Sequence, residues 1–402
     1  MAITLQHILN AAYPAYAARR RLPLRVLKAA SALRRCRTGQ LGTHAVVCTG
    51  GHLVDVRANS CRHRACPQCG WRKAADWLER WQQRLLPTTH FHVIFTLPAA
   101  LHPLWRWNRR CLADAFFRAA SDALLHLVEQ PRHLGARPGI LMGLHTWGGA
   151  LPLHPHLHAL VTAGGVDADG RWRSSRPNFL LWAPILRAVF RATLVAALKQ
   201  LLRHGQLRLP PDLDELAVDA LLHDVAQRPW HVRIEPPYAH GRGLVVYLAR
   251  SLRGGPIKNH RLLGYADGQV DFSAKQPRAT GGAKWRRTRL AVDEFLDRLF
   301  EHVPPRGLHV VRGYGVYAGR ERAARESCRR QLQSRGPHPP PAPPRPTATP
   351  LPPCPRCGAP LVTRLLAGPW WRANEKPPGP GPPPPPASAS VSNKALKPTT
   401  RA

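Results

Sequence analysis

Acidic residues are scarce in this chain. Only 23 Asp and Glu stand against 59 Lys and Arg in 402 residues, and none precedes Asp55. The net charge of +36 and isoelectric point near 11.4 exclude an acidic or neutral surface and call for a polyanionic partner, of which nucleic acid is the expected one. Long apolar runs are missing as well. No uninterrupted stretch approaches the roughly 20 residues of a membrane span, so a soluble protein with no membrane partner is expected. No secretory signal stands ahead of the cysteines, which argues for thiols in a reducing cytoplasm rather than for disulfides. The acid-free, Arg-rich first 54 residues also have the look of a transit peptide, but they run directly into a cysteine cluster. Internal repeats are absent, and so is the regular strand–helix alternation of a parallel sheet.

What is present supports a folded body, with 44% hydrophobic residues. Residues 1–35 read as a helical lead-in of two short helices around Pro14 and Pro23. Residues 36–86 hold the cysteine cluster and then a connecting helix, on which Trp71, Ala74, Leu78, Trp81 and Leu85 recur at helical spacing up to Pro87. From 87 to 335 the pattern is mixed. Phe91 to Thr96 reads as a buried strand, 105–128 as a long helix, and Gly139 to Trp147 and His156 to Thr162 as two strands. Helices over 183–203 and 212–226, a strand from Trp230 to Glu235 and a helix around Tyr247 follow. Ala266-Asp267-Gly268 is a hairpin signal, 289–302 a helix, and Leu308 to Arg312 a last strand. This order predicts an α+β domain with a central antiparallel sheet flanked by helices. Residues 336–402 are rich in proline, as in Pro382 to Pro386, and are expected to be a disordered tail.

Five of the nine cysteines, Cys36, Cys48, Cys61, Cys66 and Cys69, crowd into one Arg- and His-rich segment. In Cys66-Pro67-Gln68-Cys69 the CxxC turn sets two thiolates on one tetrahedral ion, with Cys48 and Cys61 near enough in sequence to complete it. Zn²⁺ in a structural role is the expected cofactor. Cys36, His44, His52 and His63 are further candidate ligands, enough for two sites, although some could equally be buried thiols or surface histidines. A closed site of this kind would stiffen a DNA-contact module, since Arg57, Arg62, Arg64 and Arg72 surround it. A second CxxC, Cys354-Pro355-Arg356-Cys357, has no partner pair downstream and reads as a degenerate remnant rather than half of a zinc ribbon. Cys111 and Cys328 sit in helical patterns and read as core or incidental thiols.

The motif His154-Pro155-His156-Leu157-His158 carries the chemistry. Residues two apart on a strand share a face, so His156 and His158 form a chelating pair while Leu157 points into the core. Two imidazoles hold a hard cation poorly, and a third ligand is expected. His145 on the preceding strand is the choice, with His154 and Asn259 as alternatives and Glu235 as the nearest acidic candidate. A phenol held over such a metal, as Tyr247 in Tyr247-Leu248-Ala249-Arg250 could be, can attack a phosphodiester. Arg250 and Arg253 are candidate phosphate contacts, a solvated basic face being the plain alternative.

These residues resemble the rolling-circle transposases of the insertion sequence 91 family, members of the HUH nuclease superfamily. The resemblance spans roughly residues 5 to 320 and rests on ordered motifs. They are Ser60 to Cys69, Phe91 to Pro98, Leu144-His145-Thr146-Trp147-Gly148, His154 to His158, Tyr247 to Arg250, and Val311-Arg312-Gly313-Tyr314-Gly315. The family implies an HUH nuclease-like fold in a bacterial, nucleoid-associated protein of the cytoplasm. In it His156 and His158 hold Mg²⁺ or Mn²⁺, and Tyr247 nicks single-stranded DNA at the transposon ends as a 5′-phosphotyrosine. Plasmid replication initiators and relaxases share this chemistry, and a non-catalytic zinc-dependent DNA-binding descendant would share the modules. The chain departs from the family in three places. Ser251 stands where a second tyrosine is typical, so one nucleophile acts twice or a homodimer supplies the other. Gly51 replaces a zinc-motif cysteine, and Ala65 replaces a histidine before the CPxC pair. Tyr314 and Tyr317 are candidates for the missing tyrosine, though their surroundings read as strand or loop, where base stacking is an alternative role.

Overall fold

The structure, a computed structural model, describes residues 3–238, 243, 245, 246, 248, 249, 255–277, 283–334 and 352–367. The chain begins with helices α1 (Leu5–Ala18) and α2 (Leu24–Arg35), strands β1 (Thr43–Cys48) and β2 (Leu53–Ala58), and helix α3 (Gly70–Arg84). Next come β3 (His90–Thr96), α4 (His102–Trp107), α5 (Arg109–Val128), β4 (Arg137–Trp147), β5 (Leu153–Val166), β6 (Trp172–Ser174), α6 (Ala183–Arg203), α7 (Glu215–Gln227) and β7 (Val232–Tyr238). Then follow β8 (Leu262–Ala266), β9 (Gln269–Pro277), β10 (Ala283–Ala291), α8 (Val292–Glu301), β11 (Val311–Gly315), α9 (Arg322–Gln333) and β12 (Leu361–Ala367).

The class is α+β, as the mixed order of strand and helix patterns predicts. The central sheet runs β11-β4-β5-β3-β7, with β6 attached to β5, and every pairing is antiparallel. Its two faces differ because β3, β4 and β5 alternate in character. Phe91, Val93 and Phe95, Ile140, Met142 and Leu144, and Leu157, Ala159 and Val161 all join one buried core with α5, α6 and α7. Phe190 of α6 packs there with its ring 4.8 Å from Phe95 and 5.3 Å from Trp230. Each of the larger aliphatic and phenylalanine side chains contributes about 1.5–3 kcal/mol of burial. The other face bears His90, His92, His145, His156 and His158 beside Leu141 and Leu160. Those two leucines share a smaller core with Trp81, Leu85, Val245, Leu248, Tyr317 and Leu332.

A third core joins the N-terminal helices to the sheet β10-β9-β8 and to α8. Tyr16 Oη donates to Asp297 at 2.7 Å, and the Leu5 amide donates to Asn259 at 3.1 Å, so α1 and α2 are anchored on 257–303. Within α1, Pro14 does not end the helix as its sequence position suggests. Burial of Ile8, Leu9, Ala12, Tyr13 and Tyr16 on both sides of it outweighs the roughly 3 kcal/mol of an interior proline. The long helix expected over 105–128 is instead broken at Asn108. That side chain bonds to the Leu104 and Arg208 carbonyls and accepts from the Arg208 amide, which rewards the non-helical backbone. At the β8–β9 turn Asp267 (φ 49°) and Gly268 (φ 68°) are both left-handed, as a two-residue hairpin requires.

Residues 352–367 correct one expectation. They fall within the proline-rich stretch read as disordered, yet β12 pairs with β1 to give the sheet β12-β1-β2. The Leu361-Val362-Thr363-Arg364-Leu365-Leu366 run is a strand former that finds its partner only at the opposite end of the chain.

Candidate active site and zinc module

The antiparallel register of β4 and β5 builds the first site. His145 lies directly opposite His156, and His158 lies opposite Gly143, so the three side chains rise from one face. Their ligand nitrogens all lie within 4.8 Å of one another. His156 Nδ1 meets the His154 carbonyl at 2.7 Å, and a carbonyl only accepts, so Nδ1 carries the proton and Nε2 keeps its lone pair. His158 Nδ1 is 2.8 Å from His92 Nε2. If Nδ1 donates there, Nε2 of His158 is left as a lone pair too. Burial is the main cause that lowers His145 and His158 well below the ordinary imidazole value and takes His156 to about 4. All three are therefore neutral near pH 7, the state in which imidazole binds a metal.

His92 was missing from the candidates read from sequence. Phe91 to Thr96 looks like a plain apolar run, but its alternation puts His90 and His92 on the face opposite Phe91, Val93 and Phe95. His154 contributes its carbonyl and lies outside the three-imidazole group. Asn259 is elsewhere, accepting from Leu5, and Glu235 pairs across the sheet with His92 and is bound to Arg233 at 2.8 Å. Tyr247, Arg250, Ser251 and Arg253 lie outside the described residues. Of the tyrosines considered as a second nucleophile, Tyr314 pairs with Ile140 and packs on the helix-covered core, away from the histidines. Tyr317 is 2% exposed, with its hydroxyl 2.8 Å from His90 Nε2 and accepting from the Leu86 amide at 3.0 Å. Burial raises its pKa, so it is a structural phenol with no open face for a stacked base.

The zinc module combines cysteines differently from the sequence reading. Cys36, Cys61, Cys66 and Cys69 converge with all sulfurs within 4.8 Å. The pairs Cys61–Cys69 and Cys36–Cys66 are each 3.6 Å apart, close to the roughly 3.8 Å edge of a tetrahedron built on Zn–S bonds of about 2.3 Å. Hydrogen bonds among the thiols lower Cys36 to about 7 and lower Cys69, while they raise Cys61 and Cys66. Four thiolates cannot coexist here without a cation, and this set suits structural Zn²⁺. Gln6 of α1 donates to the Cys36 carbonyl at 2.9 Å and accepts from Gln68 at 3.1 Å, tying the module to the N-terminal helix. Cys36 thus takes the position expected for Cys48. Cys48 instead lies with His52, Cys354 and Cys357, so the second CxxC, read as a remnant, has a partner pair upstream rather than downstream.

Comparison with known proteins gives the family. Residues 8–97 match the family described as "Transposase zinc-binding domain", and residues 139–325 match the one described as "Putative transposase". The "Putative transposase y4qJ" of Sinorhizobium fredii (strain NBRC 101917 / NGR234) is 35% identical over 315 residues, covering 77% of this chain and 79% of that one. The chain belongs to the insertion sequence 91 family of HUH-type transposases. A second family member, "Transposase for insertion sequence element IS801" of Pseudomonas savastanoi pv. phaseolicola, is 32% identical over 295 residues, covering 71% of this chain and 68% of that one. No solved structure matches. Among the described residues of this family member no helix is long and apolar enough to cross a membrane.

Proposed function

We propose that this transposase nicks and rejoins single-stranded DNA at transposon ends through a covalent 5′-phosphotyrosine on Tyr247. The observation that carries the reading is the convergence of His145, His156 and His158 on one face of the sheet. A Mg²⁺ or Mn²⁺ ion held by these imidazoles would supply positive charge to a non-bridging oxygen of the scissile phosphate. The all-nitrogen donor set favours the softer Mn²⁺ of the two. Tyr247 is the nucleophile by its place in the ordered motifs. Its described neighbours Val245 and Leu248 are buried with Leu141 and Leu160 on the histidine-bearing face, which supports that choice.

The phenolate oxygen of Tyr247 bonds to phosphorus, the P–O3′ bond breaks, and the departing oxygen takes up a proton as a free 3′-hydroxyl. Attack by a 3′-hydroxyl on the phosphotyrosine reverses the step and joins strands, so no nucleotide cofactor is consumed. Arg250 and Arg253 follow Tyr247 in sequence and are suited to hold phosphate. With Ser251 where relatives of this type carry a second tyrosine, Tyr247 acts twice or a second copy of the chain lends its own. Residues 36–86 serve as the zinc-stiffened DNA-contact module and 87–335 as the catalytic domain.

The test is to incubate the protein with labelled single-stranded DNA from the element's ends, with Mn²⁺, Mg²⁺ or EDTA, and look for an SDS-resistant adduct. The reading requires a metal-dependent adduct that Tyr247→Phe abolishes. Tight DNA binding with no adduct under any metal would replace it with a non-catalytic DNA-binding role.

A further inference from the structure

We infer that Cys48, His52, Cys354 and Cys357 form a second structural zinc site, distinct from the four-cysteine cluster, which clasps the C-terminal segment onto the N-terminal module. The four ligand atoms lie within 4.8 Å of one another. Cys48 and Cys357 sulfurs are 3.6 Å apart, too far for the roughly 2.05 Å of a disulfide and near the roughly 3.8 Å edge of a zinc tetrahedron. His52 Nδ1 is 3.5 Å from Cys48 and 3.9 Å from Cys354, against about 3.6 Å for a mixed sulfur–nitrogen edge. Three thiolates and one imidazole are a structural zinc set.

The backbone is shaped for this use at both ends. Upstream, the Cys48 amide donates to the His52 carbonyl, the Gly51 amide to the Cys48 carbonyl, and the His52 amide to the Cys48 sulfur at 3.2 Å. Downstream, the Gly358 amide donates to the Cys354 carbonyl and the Cys354 amide to the Ala359 carbonyl. The turns carry left-handed Gly51 (φ 87°) and Gly358 (φ 68°), a conformation that glycine adopts without strain. They are two facing knuckles, and the Thr49 amide joins them by donating to the Pro360 carbonyl at 3.1 Å. Gly50 lies beside both knuckles, where even a Cβ would be in ordinary contact with the Cys357 and Cys48 sulfurs, at 3.5 and 3.6 Å. The knuckles stand at the ends of β1 and β12, whose pairing starts with Cys48 opposite Leu361. The missing cysteine at Gly51 is thus made good by His52, and the other half of the site comes from some 300 residues away.

The experiment measures zinc per chain by mass spectrometry in the full-length protein and in Cys354→Ser/Cys357→Ser. The expected result is a drop of one zinc per chain, with the four-cysteine site still filled. A parallel reading on the unaltered chain is maleimide labelling. Cys357 is exposed, so burial cannot shield it, yet it should resist labelling until a chelator is added and then react together with Cys48. Unchanged zinc content in the double variant, or labelling of Cys357 at the rate of a free thiol without chelator, overturns the proposal. Should the variant aggregate, the labelling result alone decides.

Discussion

Replacing His92 tests the proposed metal site without touching any of the three imidazoles assigned to it. Its Nε2 lies 2.8 Å from His158 Nδ1 and is the described partner that fixes which His158 nitrogen faces His145 and His156. In His92→Leu the His158 ring loses that partner inside the protein, where His158 is 5% exposed. Partners that orient a metal-bound histidine are worth about 10–100-fold in metal affinity, equal to about 1.4–2.7 kcal/mol. Loss of that hydrogen bond costs the apo fold about 0.5–1.5 kcal/mol. His92→Gln keeps an acceptor and should recover most of both losses. The assay is Mn²⁺ titration followed by the electron paramagnetic resonance of free Mn²⁺, with thermal denaturation alongside. If His92→Leu binds Mn²⁺ within about threefold of the parent, or if Gln is no better than Leu, the assigned role is wrong.

Other perturbations read separate parts of the molecule. Phe190→Ala empties the ring cluster of Phe95, Phe116 and Trp230 and should cost about 3–5 kcal/mol in urea melts, with zinc content unchanged. Cys36→Ser should remove the zinc of the four-cysteine cluster and loosen α1, seen as faster proteolysis near Gln6, whose side chain bonds the Cys36 carbonyl. Acid should destabilise the fold through His302. Burial lowers its pKa to about 4, and it bonds to the Leu151 carbonyl and Thr146 hydroxyl as a neutral ring. Because the folded value lies below the unfolded one, the unfolded chain binds more protons between about 6.5 and 4, so its stability contribution is full above that window and lost as pH falls through it. His302→Gln should narrow the difference in Tm between pH 7.5 and 5, and an unchanged difference would show that the acid sensitivity lies elsewhere.

Much of this chain was legible before any fold was known. A +36 charge calls for a polyanion whatever the tertiary structure. Period-two alternation decided that His156 and His158 share a face and that Leu157 is buried, because strand geometry is local. The CxxC turn at Cys66 and Cys69 and the Asp267-Gly268 hairpin are likewise fixed over a few residues. Contacts between distant segments were not written in any local pattern. His92 reaches the histidine face through the β3–β5 pairing, and His145 lies opposite His156 through the β4–β5 register. Burial on both sides of Pro14 overrode its propensity, and Tyr317 was withdrawn from chemistry by being enclosed. Most of all, Cys354 and Cys357 look like leftovers in a proline-rich tail until β12 adds to β1. Spacing along the chain cannot reveal that pairing, because a tetrahedral site requires only that its ligands meet in space, and it was the β1–β12 pairing that brought two segments some 300 residues apart together.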